Sequence, residues 1–184
     1  LLVGERIQRL GDGLRQRLPD GMAIEDVDVV DCRDRVIAPG FIDAHTHDDA
    51  IVLSDPAYLP KVSQGITTLV TGNCGISLAP YVTGAAKPPL NLLGAQSFRY
   101  PSYADYVRAV AAARPAVNVA PLIGHTTLRF AAMDDLTRAA SADERARMAA
   151  LLDDCMAAGA LGLSSGLFYE EAHAAPADEV TDLA

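Results

Sequence analysis

At 184 residues, half of them hydrophobic, the chain is long enough for one packed domain or for part of a larger one. It carries 15 Lys and Arg against 24 Asp and Glu, and the resulting charge of −9 argues against a nucleic-acid partner, because phosphate binding needs clustered cations. Three widely spaced cysteines, Cys32, Cys74 and Cys155, form no disulfide framework and fit a reducing, cytoplasmic setting, while no apolar run is long enough to span a membrane.

No signal peptide is visible. The chain opens at Leu1 inside a strand-like stretch and stops at Ala184 where a helix begins, so it reads as a piece of a longer protein. Residues 1–37 read as part of a small β-rich domain, broken by Gly11, Gly13, Pro19 and Gly21, with alternation over Ile24–Val30. From residue 38 to 184 apolar runs alternate with helical stretches, the pattern of βα units on a parallel sheet. The first strand runs from about Gly40 to His45. Alternate side chains on a strand share a face, so Asp43, His45 and His47 point the same way. Two imidazoles so placed suit zinc or a similar ion. Asp48 and Asp49 follow and read as solvated.

Leu59–Gln64 is a short helix stopped by Gly65, and Thr67–Thr71 is a β-branched second strand ending at Gly72-Asn73-Cys74-Gly75. The stretch Ile76–Pro101 is proline-rich and without period. It is expected to cover the mouth of a site, with Leu78, Tyr81, Leu90, Leu92, Leu93 and Phe98 shaping an apolar pocket. Tyr103–Arg114 is a helix closed by Pro115. Ala116–Ile123 is the third strand, ending at Gly124-His125. Ser141 with Glu144 forms a capping box that opens a helix, and Gly159 closes it. On that helix Cys155 packs with Met148, Leu151, Leu152 and Met156. Leu161–Ser164 is the fourth strand, followed by Ser165 and Tyr169, and a last helix starts at Pro176. Every strand thus ends in polar residues, as catalytic parallel α/β folds require. No glycine-rich phosphate loop follows the first strand.

Ile37-Ala38-Pro39-Gly40-Phe41-Ile42-Asp43-Ala44-His45-Thr46-His47 resembles the first barrel strand of the amidohydrolase superfamily. Within it, Thr71-Gly72-Asn73-Cys74-Gly75-Ile76-Ser77, Gly124-His125-Thr126-Thr127-Leu128-Arg129 and Gly162-Leu163-Ser164-Ser165-Gly166 look like the N-acyl-D-amino-acid deacylases. The resemblance implies an α/β fold: the first half of a metal-dependent-hydrolase (β/α)8 TIM-like barrel over 38–184, preceded by a partial β-domain over 1–37. It implies zinc-dependent removal of the acyl group from a small N-acyl-D-amino acid. The general base and the remaining ligands are expected beyond residue 184, so the isolated chain should be inactive. A cyclic amidohydrolase of the hydantoinase or dihydroorotase kind, or a non-catalytic metal-binding pseudoenzyme, is the alternative.

His45, His47 and Cys74 are the expected metal ligands. Many two-metal amidohydrolases use a carbamylated lysine at the end of strand four, but here that strand offers Leu163-Ser164-Ser165. A metal-bound thiolate at Cys74 would supply the anion instead. Four residues are candidates at the substrate: His125, Arg129, Ser165 and Tyr169. For His125 the competing reading is a satisfied structural histidine. For Arg129 it is a surface cation rather than a partner for a substrate carboxylate, and for Tyr169 it is aromatic packing under a loop. Asp43 is expected to orient a ligand.

Overall fold

The computed structural model describes residues 2–3, 6–7, 23, 30–94 and 97–184. The chain divides into two compact units, Leu1–Pro39 and Gly40–Ala184. In the first, strands β1 (Leu2–Val3) and β2 (Arg6–Ile7) pair antiparallel. The alternation read over Ile24–Val30 lies, apart from Val30, outside the described residues.

The second unit is built of parallel strands that follow chain order. Strand β3 (Phe41–Asp43) pairs with β4 (Ile66–Thr71), and β4 pairs with β7 (Asn118–Pro121). The third strand is not the single run expected from the sequence. It breaks at Leu122, whose N–H bonds Thr71, and resumes as β8 (Ile123–Gly124), which pairs with β9 (Leu163–Ser164). The break lets one strand exchange its β4 partner for its β9 partner.

Short helices α1 (Ile51–Ser54) and α2 (Leu59–Val62) follow β3. Helix α3 (Tyr103–Ala113) is capped by Ser102, which accepts the Asp105 N–H at 3.2 Å. Helix α5 (Ala142–Ala157) opens with the expected capping box. Ser141 Oγ accepts the Glu144 N–H at 3.3 Å, and Glu144 Oε2 accepts the Ser141 N–H at 2.8 Å. Gly159, at φ +96°, follows its end. Cys155 is buried beside Met148 and Leu152, as expected, and burial pushes its thiol up to about 11.

Beyond the broken third strand and the short helix α1, three more features depart from the sequence reading. Helix α4 (His125–Ala132) starts directly after β8 with β-branched Thr126 and Thr127 and no capping side chain, so no local signal announces it. Helix α6 (Glu170–His173) was likewise not expected, whereas α7 (Ala177–Thr181) was. Ile76–Pro101 is the third. It folds into strands β5 (Tyr81–Val82) and β6 (Arg99–Tyr100), paired antiparallel, around a 3-10 turn at Leu90–Leu93. Leu78, Leu90, Leu93 and Phe98 are buried in the main core with Ile76, Ile123 and Leu128, and Tyr81 packs on that core. Burying each such side chain is worth about 1.5–3 kcal/mol. The stretch is therefore a structural wall; of the six residues expected to shape a pocket, only Leu92 is largely exposed.

A buried ion pair ties α4 to α7. Arg129 and Glu179 are fully buried and paired. Arg129 also donates to the carbonyls of Glu171, Leu136 and Arg138 at 2.8–3.0 Å. Glu179 accepts the Ala140 N–H at 2.9 Å and His125 Nε2–H at 3.1 Å. Burial lowers the His125 pKa more than Glu179 raises it, so the imidazole is neutral and donates through Nε2. Burial also pushes the Glu179 carboxyl upward, but the Ala140 N–H and Arg129 outweigh it and leave the pKa lowered.

Removing one partner strands the other as a buried charge. Glu179→Ala should therefore destabilise the protein by about 3–5 kcal/mol, read as a lower urea midpoint. Because the folded carboxyl titrates below its ordinary value, the contribution is complete above the unfolded pKa and is lost as pH falls through the folded one. An unchanged midpoint at neutral pH would show that the pair contributes no net stability.

Candidate metal centre

Strand β3 delivers the two histidines. Asp43 ends it, and its carboxylate receives the His45 N–H at 3.3 Å. Lys61 on α2 pairs with Asp43 and reaches Asp48 at 3.2 Å. The Asp43 carboxyl is held below its usual range chiefly by Lys61. The Asp43 carboxylate thus touches the backbone of His45 and the Lys61 ammonium. Asp48 and Asp49 are not merely solvated. Asp49 is buried and receives the Gly72 N–H at 3.2 Å, while its backbone carbonyl accepts Tyr106 O–H at 2.9 Å. Burial pushes its carboxyl up to about 7.

Strand β4 delivers the thiol through a turn that few sequences can make. Gly72, Cys74 and Gly75 have φ of +74°, +56° and +76°. Glycine takes that region freely, whereas a side chain there costs roughly 1–3 kcal/mol and persists only where the surroundings hold it. Here they do. Asn73 Nδ2 donates to the carbonyls of Val70 at 2.7 Å and Thr46 at 3.3 Å. The Ile76 N–H bonds Asn73 O, and the Thr127 N–H bonds Gly75 O. Gly124 on β8 must lack a side chain, because a Cβ would lie 2.3 Å from Gly75 O.

The result is a convergence. One ligand atom from each of His45, His47 and Cys74 lies within 4.8 Å of the others. His45 Nε2 and Cys74 Sγ are 3.0 Å apart, and the two imidazoles meet edge to face at 5.9 Å. His47 Nδ1 is buried with no hydrogen-bond partner among the described residues. Burial, and then neighbouring His45, lowers the His47 pKa, which favours the neutral, metal-binding imidazole. Two nitrogens and a thiol with an orphaned buried ring nitrogen fit a borderline-soft divalent ion such as zinc.

The substrate candidates do not share one place. Tyr169 is half-buried against the core, and its hydroxyl is pushed upward by burial first and by the nearby Cys74 second. Ser165 is exposed just beyond β9, its backbone against Gly75. His125 and Arg129 are fully buried in the Glu179 cluster, and every nitrogen of the Arg129 guanidinium has a protein partner. The expectation that Arg129 binds a substrate carboxylate is thus corrected, and for His125 the structural reading is the one that fits. Helix α4, which buries both, was the element missing from the sequence reading.

A family model described as "Amidohydrolase family" matches residues 28–184. An N-acyl-D-aspartate deacylase of Alcaligenes xylosoxydans xylosoxydans is 58% identical over 85% of this chain and 32% of its own length. A D-aminoacylase of the same organism is 47% identical over 98% of this chain and 36% of its own. The chain thus spans about a third of the length of the curated relatives it matches. A solved D-aminoacylase, described as having a binuclear metal centre, superposes with a TM-score of 0.77 at 52% identity, covering 79% of this chain and 31% of that one. An N-acyl-D-glutamate deacylase from Bordetella bronchiseptica, solved with zinc and a phosphonate inhibitor, gives a TM-score of 0.75 at 44% identity over the same shares.

The close approach at Gly124 is testable. Gly124→Ala in the whole protein should displace the Cys74 turn and weaken metal retention about tenfold, the scale on which changes around ligands act, as measured by competition with a chelator. Unchanged retention would mean that the turn adjusts without moving the thiol.

Proposed function

The chain belongs to the amidohydrolase family, and we propose that the whole protein is a zinc-dependent hydrolase that removes the acyl group from an N-acyl-D-amino acid. The observation that carries the proposal is the meeting of His45, His47 and Cys74 at the carboxyl ends of adjacent parallel strands. The names of the relatives, deacylases of N-acyl-D-aspartate and N-acyl-D-glutamate and a D-aminoacylase, supply the substrate class. The zinc-bound relative supports the choice of metal. In the proposed division of the chain, residues 1–37 are part of a small β-rich domain and residues 38–184 the first half of the barrel.

When bound, zinc supplies Lewis acidity toward a water and an amide carbonyl. The chain's own residues do the rest of this half's work. His45 and His47 offer imidazole nitrogens just beyond β3, whose last residue, Asp43, is paired with Lys61, as is Asp48. Cys74 offers the anionic ligand that strand four, with Ser164 and Ser165, does not provide. The general base is assigned beyond residue 184. Asp43 and Asp48 are committed to Lys61, and Asp49 is buried and bonded to Gly72. Tyr169 and Ser165 stand on the Cys74 side and are proposed to face the substrate. No helix among the described residues is long and apolar enough to cross a membrane. Because the reading needs Cys74 as a free thiol, a reducing cytoplasmic setting is part of it.

The test separates the two best-described thiols. In the whole protein Cys74→Ala should lower kcat/KM for an N-acetyl-D-amino acid by about a hundredfold and reduce zinc content. Cys155→Ala should leave both near wild type, since its thiol is buried in the core cluster that also holds Met148 and Leu152. Equal turnover and zinc in wild type and Cys74→Ala would contradict the reading.

A further inference from the structure

Ser164 is the last residue of β9, yet its hydroxyl bonds neither its own strand nor β8. Its Oγ donates to Gly72 O at 2.5 Å and accepts the Gly75 N–H at 3.0 Å. Those two backbone groups bracket Cys74 on either side of its left-handed turn. The bonds link residues 92 and 89 positions apart. They run from the fourth parallel strand to the end of the second, past the third, where Gly124 presents no side chain to obstruct them. The hydroxyl uses its one O–H as donor and one of its lone pairs as acceptor.

We infer that Ser164 is a positioning residue for the thiol ligand: its hydroxyl clamps the Gly72–Gly75 turn and so fixes where Cys74 Sγ stands relative to His45 and His47. The inference rests on the metal-ligand reading above and deepens it. The position is informative because strand four is where other members of the superfamily are expected to present an anionic ligand. Here that strand holds the ligand of another strand in place, and it does so through Ser164, whereas Ser165 beside it is exposed. The clamp explains how a non-glycine residue, flanked by Asn73 and Gly75, is kept at φ +56°. Without the hydroxyl, Gly72 O and the Gly75 N–H lose the partner each has on β9, and both must find water or move, taking the intervening residue with them. The strained turn then has less to hold it, and a thiol displaced by even a fraction of an ångström fits a fixed coordination geometry poorly.

The experiment replaces zinc by cobalt in the whole protein and reads the near-ultraviolet thiolate-to-cobalt charge-transfer band, together with zinc affinity by chelator competition. Wild type should show the band, and Cys74→Ser should lose it. A wild type without the band would sink the metal-ligand reading itself. Given the band, Ser164→Ala should bind zinc about tenfold or more weakly, in line with the loss on removing partners that orient ligands, and should show a weakened or shifted band. Ser164→Thr, which keeps the hydroxyl, should restore both. The inference is overturned if Ser164→Ala keeps wild-type zinc affinity and band. It is overturned equally if Ala and Thr lose both alike, or if the loss only tracks an equal fall in the stability of the metal-free protein.

Discussion

A turn with three left-handed residues among four survives only if its peptide groups are bonded from outside, because it can form neither helix nor ladder. The Gly72–Gly75 turn meets that condition by drawing partners from around the neighbouring strand ends. Thr46 and Asp49 follow the first strand, Thr127 lies in the first turn of the helix after the third, and Ser164 ends the fourth. The thiol of Cys74 stands where it does because three separate elements agree on the path of the backbone beneath it. The rest of the unit can be read as the scaffold that brings those three elements together.

Two electrostatic arrangements, one partly and one fully buried, serve that scaffold at different distances from the thiol. Near it, Lys61 neutralises Asp43 and Asp48, so that the strand carrying the histidines does not end in unpaired carboxylates. Farther away, Arg129 and Glu179 with neutral His125 lock helix α4 against α7 and the connection through Ala140. Because His125 directly follows Gly124, that lock also fixes the strand end against which the Cys74 turn rests. A core cluster alone would tolerate small shifts of these elements. Directional bonds to buried charges do not.

Much of this was legible in the sequence. The H-x-H alternation read as a strand placed His45 and His47 on one face; they do converge with Cys74, although β3 ends at Asp43 and both lie just beyond it. The capping box at Ser141 and Glu144 and the stop at Gly159 located α5, since caps act through neighbours along the chain. Cys74 was singled out by its place at a strand end, by the lack of a lysine on strand four and by the resemblance of its motif. What stayed hidden depends on contacts distant in sequence. Helix α4 has weak helix formers at its start and is held by Glu179, 50 residues from Arg129, so His125 and Arg129 looked like site residues. Leu90, Leu93 and Phe98 looked like a pocket because a stretch without period gives no sign of which core it will join. Ser164 was passed over for its neighbour, and only the bonds spanning about 90 residues distinguish them.

The central claim is that the thiol of Cys74 and the two imidazoles hold one metal ion together. Zinc-edge X-ray absorption on the zinc-loaded whole protein tests it most directly. The account predicts a sulfur scatterer in the first shell at about 2.3 Å, beside nitrogen and oxygen at about 2.0–2.2 Å, with the sulfur absent in Cys74→Ala. A first shell of nitrogen and oxygen alone in the wild-type protein would contradict it.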